Sequence, residues 1–134
     1  MKKSKQTLQQ KRAEHALKRI KDADEKYKDK EERKKFVSYA ESAPASILIN
    51  GLGQAMATLL AQAKGNQEEP HGAIYAALKD WLCRDSTMAP YKGCKDLITA
   101  ITEGDRDSYL HAQAEALSYL EWYKKFAVAF IKTD

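Results

Sequence analysis

Cysteine, proline and glycine are scarce in this chain: two, three and six among 134 residues. So few turn-formers exclude a turn-rich β fold, a collagen-like segment and a long loose linker. Two thiols, Cys83 and Cys94, allow one bridge at most. The stretch from Met1 to Gln10 is basic and polar, with no apolar segment behind it of the kind an export signal carries. The expectation is a pair of reduced thiols in a cytoplasmic protein. Long apolar runs are missing too. The longest, Ala73 to Leu78 and Phe126 to Ile131, have six residues each. A membrane span needs about 20, so no membrane partner is expected.

Chemistry-bearing motifs are equally sparse. His15, His71 and His111 fall in three different segments, without an H-x-x-x-H or H-E-x-x-H spacing, and there is no C-x-x-C. A closed zinc site needs four ligands at workable spacing, so no metal and no cofactor are expected. Glu103, Asp105 and Asp107 lack the ligand order of a calcium loop and are read as acids favoured at a helix start. No serine sits in a G-x-S-x-G setting. The Gly51-Leu52-Gly53 triplet lacks the third glycine and the preceding strand of a dinucleotide fingerprint. No catalytic residues are assigned, and the chain is not read as an enzyme.

What is present is helical periodicity. With 43% hydrophobic and 31% charged residues, a chain of this length has material for a core of its own. Ala13, Ala16, Ile20, Ala23 and Tyr27 recur at gaps of 3 and 4, one face of a helix. Ser42-Ala43-Pro44 reads as the start of a second helix, with Pro in the first turn, running to about Lys64 and ended by Gly65-Asn66. Pro70 opens a third, with Ile74, Ala77, Leu78, Trp81 and Leu82 inward. A loop follows over Asp85 to Gly93, then a short helix around Leu97, Ile98 and Ile101. Glu103-Gly104-Asp105 breaks the chain before a last helix to about Lys132. The expected architecture is all-α: a small single-domain bundle of about five or six helices over residues 1–134, with a basic N-terminal helix over about 5–38.

Charge is uneven. Residues 1–35 hold 14 Lys+Arg against 7 Asp+Glu, and residues 36–134 hold 9 against 12. At about 100° per residue, Lys5, Arg12, Arg19 and Lys26 follow one line of the first helix, with Lys11 and Lys18 beside it. Glu14, Asp22 and Glu25 project away from that line. These six cations are the candidate RNA-binding residues, since an unneutralised basic line suits a phosphate backbone. A second feature is Asn50-Gly51-Leu52-Gly53-Gln54 inside an otherwise strong helix, where each Gly costs about 1 kcal/mol relative to Ala. Asn50, Gly51, Gly53 and Gln54 are candidates for a close contact, either an internal helix crossing or a partner surface.

The segment Leu48 to Ala57 resembles a known family. Pro44, Ile47, Asn50-Gly51-Leu52 and Gln54-Ala55 fill its pattern of a Pro before an I-x-x-N-G-L-x-Q-A helix. The basic Lys11 to Ala16 stretch, Trp81-Leu82, Tyr109 to Ala112, Glu115 to Leu117 and Leu120 to Ala127 extend the likeness over most of the chain. The family is the small helical subunit of the Cmr (type III-B) CRISPR RNA-guided effector complex, fifth of the numbered Cmr proteins. The resemblance implies a non-catalytic subunit in antiviral defence. Copies would stack in a minor filament beside the crRNA-bearing backbone and help hold target RNA. Its partners would be other Cmr-complex proteins, further copies of itself, crRNA and target RNA. The alternative from the residues alone is a stand-alone helical adaptor that binds protein without nucleic-acid contact.

Overall fold

Thr7 starts the first helix with a reciprocal cap: its hydroxyl accepts from the Gln10 N–H, and the Gln10 side chain accepts from the Thr7 N–H. The computed structural model describes residues 5–134. Its elements are α1 (Leu8–Lys26), α2 (Lys30–Gln62), α3 (Pro70–Leu82), α4 (Leu97–Glu103) and α5 (Arg106–Phe130). The all-α expectation holds, with five helices and no strand among the described residues. α1 and α2 both pack on α5, and α3 packs on α2. Between them lie Ile20, Phe36, Ile47, Leu52, Met56, Ile74, Leu78 and Leu120, all fully buried. Each such side chain contributes roughly 1.5–3 kcal/mol by leaving water. Tyr27, Phe36, Tyr119 and Tyr123 pack ring against tilted ring through the centre of this core.

Two boundaries differ from the sequence reading. The first helix stops at Lys26, short of residue 38. Tyr27 is extended, and Asp29 caps a new helix by accepting from the Glu32 N–H. That new helix runs straight through Pro44, which is buried inside α2 and starts nothing. A proline in a helix interior forfeits one hydrogen bond; here its ring is buried in exchange.

The break in α2 comes at Gly51 instead, with φ 83° and ψ 159°. That region is open essentially to glycine alone, so Gly51 separates two helical halves and is not a penalty inside one. The freed amides of the second half are capped from α5. The Leu52 N–H donates to Gln113 Oε1 at 2.9 Å, and the Gly53 N–H donates to the Tyr109 hydroxyl at 3.0 Å. Gly72 is required for another reason: a Cβ there would lie 2.0 Å from the Asn66 carbonyl oxygen. Helix α3 thereby packs directly against the turn that leads into it.

By length and composition alone, the 33-residue α2 passes as a membrane-crossing helix, which a search for uninterrupted apolar runs does not detect. Its apolar residues Phe36, Ile47, Leu52 and Met56 are spent on the bundle core.

Candidate functional site

The line of cations on α1 is neutralised from other helices. Arg12 donates to Glu115 of α5 through Nε at 2.6 Å and Nη2 at 2.9 Å. Its side chain is 14% exposed. Glu115 is buried and also accepts from the Trp81 indole N–H at 2.9 Å. Further along the helix, Arg19 Nη2 lies 3.3 Å from Asp80 Oδ2 on α3. Lys26 pairs with Glu68 in the turn before α3. The reading of Arg12, Arg19 and Lys26 as an unneutralised line is therefore corrected. A helical projection counts only charges on the same helix, and these partners come from α3, α5 and a turn. Lys5, Lys11 and Lys18 are exposed.

His15 completes the α1 network. Its Nε2 is 2.6 Å from Asp80 Oδ2 and its Nδ1 is 2.7 Å from the Tyr119 hydroxyl. Burial lowers the His15 pKa, outweighing the opposing pull of Asp80. At Glu115 burial pushes the carboxyl up, but the hydrogen bonds from Arg12 and Trp81 win and hold it below its ordinary value. Both groups thus bind protons less well folded than unfolded. Their contribution to stability is complete above the unfolded pKa and lost as pH falls through the folded one. The melting temperature should fall on acidification below the ordinary His value of 6.5. It should fall further below the ordinary Glu value of 4.5. Thermal melts at stepped pH check this, and His15→Gln should flatten the first fall only.

The second candidate segment divides. Gly51 and Gly53 face α5 and α4: a Cβ on Gly51 would meet the Tyr109 hydroxyl at 3.1 Å, and one on Gly53 would meet Ile101 at 3.5 Å. Asn50 and Gln54 are exposed, next to Leu48 and Ile49, which are 70% and 80% exposed. The close contact is internal, while the polar neighbours border an open apolar pair. Gly53→Ala should raise stability by up to about 1 kcal/mol, since its contact distances are ordinary and Ala has that much more helix propensity than Gly. A thermal melt checks it.

Sequence reasoning missed three surface clefts along α1. One, about 250 Å³, is lined by Gln6, Lys11, Arg84 and Met88. A second, about 410 Å³, lies among His15, Lys79, Asp80, Arg84, Cys94 and Lys95. The third, about 370 Å³, runs between Arg19, Lys26, Tyr27, Lys79 and Asp80. No local motif announces them, because each is walled by α1 on one side and by residues far along the chain on the other. Cys83 is buried and Cys94 exposed, both free. Burial pushes the Cys83 thiol up to about 11. Among the described residues no group of three or more His, Cys, Asp and Glu is placed to hold a metal.

The molecule is thus a small all-α protein with paired charges binding its first helix down and clefts open along that helix. The family model for the CRISPR-associated protein Cas_Cmr5 matches residues 8–130. The chain belongs to this family and is a CRISPR-associated Cmr subunit.

Proposed function

We propose that this chain is the non-catalytic small subunit of a cytoplasmic Cmr ribonucleoprotein acting in antiviral defence. It stacks with further copies beside the crRNA-bearing backbone and helps hold target RNA there. The observation that carries this reading is the family match over residues 8–130. The all-α fold and the sparse chemistry of the sequence agree with it. Sequence specificity in such an assembly resides in base pairing, and the protein supplies backbone contacts and shape. Lys5, just ahead of α1, and Lys11 and Lys18 on it are exposed; of the six candidate cations, these three remain suited to a phosphate path. Arg12 is assigned instead to holding α1 on α5. The test is co-purification of the tagged chain from its native source. Other Cmr proteins and a guide RNA should come with it; recovery of the chain with neither would overturn the reading and favour the stand-alone adaptor.

Copy-to-copy contact is assigned to the exposed surface of Leu48, Ile49, Asn50 and Gln54. Leu48→Glu with Ile49→Glu should change folding stability by no more than about 0.5 kcal/mol, as for other surface positions. The same variant should lower the number of copies per assembled complex, read by native mass spectrometry. The pure protein should sediment as a monomer in dilute solution, since two adjacent apolar side chains form too small a patch for a stable dimer.

A further inference from the structure

We propose that the three clefts form one trough along α1, and that its basic upper part takes a single RNA strand by its phosphates. The clefts share walls. Arg84 lines both the first and the second. Lys79 and Asp80 line both the second and the third. The trough therefore follows α1, whose 19 residues span about 28 Å, long enough for a short run of nucleotides.

The charge pattern names the occupant. In the upper two clefts Lys11 comes from α1, Lys79 from α3, and Arg84 and Lys95 from the segment between α3 and α4. None of these four has a carboxylate within ion-pair distance among the described residues. Lys79 bonds the neutral Gln67 side chain, at 3.1 Å. Arg84 lies 3.6 Å over the Trp81 ring and donates to the Trp81 carbonyl at 2.7 Å, which fixes its guanidinium between the two clefts. The acids lining these clefts are Asp80, already engaged by His15 and Arg19, and Asp85, paired with Lys92; Asp96 and Glu115 act on Lys79 and Arg84 only from beyond ion-pair distance. Cations converging from both walls suit a chain of phosphates lying between them. The aromatic residues nearby, Trp81, Tyr27 and Tyr123, are buried in the core, so none of these rings is available as a stacking platform. Binding is then to the sugar–phosphate backbone and without base preference.

This inference rests on the RNA-holding reading above, and Cys94 makes it separable. Cys94 is exposed in the second cleft, while Cys83 is buried. In the assembled complex, alkylation of Cys94 by N-ethylmaleimide should slow several-fold when target RNA is added, with Cys83 slow throughout. Lys79→Ala with Lys95→Ala should weaken target capture equally for uridine-rich and adenine-rich targets. The log–log salt dependence should become shallower by about 0.7 for each phosphate that the variant no longer neutralises. Protection of Cys94 by assembly alone, before RNA is added, would make the trough a protein interface and overturn the proposal. So would unchanged alkylation with normal RNA capture, or a strong base preference; these leave the RNA-holding reading intact. A complex that captures target equally well without this chain overturns both.

Discussion

Glu115→Ala should lower stability by about 3–5 kcal/mol, the usual loss when one partner of a buried ion pair is removed. Two groups are deprived of their acceptor at once. The Arg12 guanidinium, held by two hydrogen bonds to that carboxylate, would be left charged and largely covered. The Trp81 indole N–H would be left without that acceptor in a buried place, at about 1–3 kcal/mol. In a chain of this size such a loss corresponds to a fall of roughly 10 °C or more in melting temperature. Arg12→Ala should also destabilise, although a solvated phosphate-binding arginine would not. Removing both partners, as Arg12→Met with Glu115→Leu, should cost less than Glu115→Ala alone, because no uncompensated charge is then buried. Chemical denaturation of the wild type, Arg12→Met, Glu115→Leu and the double variant gives the coupling energy. Additive losses would show that the pair does not anchor α1 on α5.

Gly51→Leu should cost about 2–6 kcal/mol, from two sources acting together. The backbone at φ 83° and ψ 159° is strained for any side chain, at about 1–3 kcal/mol. The first side-chain carbon would also press on the Tyr109 hydroxyl at 3.1 Å, and overpacking adds about 1–3 kcal/mol. Displacing Tyr109 removes the acceptor of the Gly53 N–H and uncaps the second half of α2. A raised melting temperature would show that this close approach does not exist. Incorporation into the Cmr complex should fall only as far as stability falls, because Gly51 faces α5 and not the exposed surface beside it.

Helix number and most helix ends were legible locally. Pro70 at a first turn, Asp105 before Arg106, and Ile20 and Ala23 at 3–4 spacing carry their own signals, and the structure follows them. Pro44 misled because its local preference for a helix start was overridden: its ring is buried in the interior of a long helix. Gly51 was visible as an anomaly, but whether it marked a crossing, a partner or a break depended on Tyr109 and Gln113, which lie more than fifty residues away.

The site divides along the same line. An excess of cations in residues 1–35 is a property of composition, and their placement along α1 is a property of helical geometry; the sequence determines both. Which cations are spent on the fold and which are left for a partner was decided by tertiary structure alone. Glu115 reaches Arg12 across 103 positions of chain, and Asp80 reaches His15 across 65. Neither acid shares a helix with its partner, so neither appears in any projection of α1. The clefts along α1 are likewise made by two helices and a loop that meet only when the core closes. Charge pairing over a few ångströms is set by folded distance, and folded distance is the quantity that spacing along a chain does not contain.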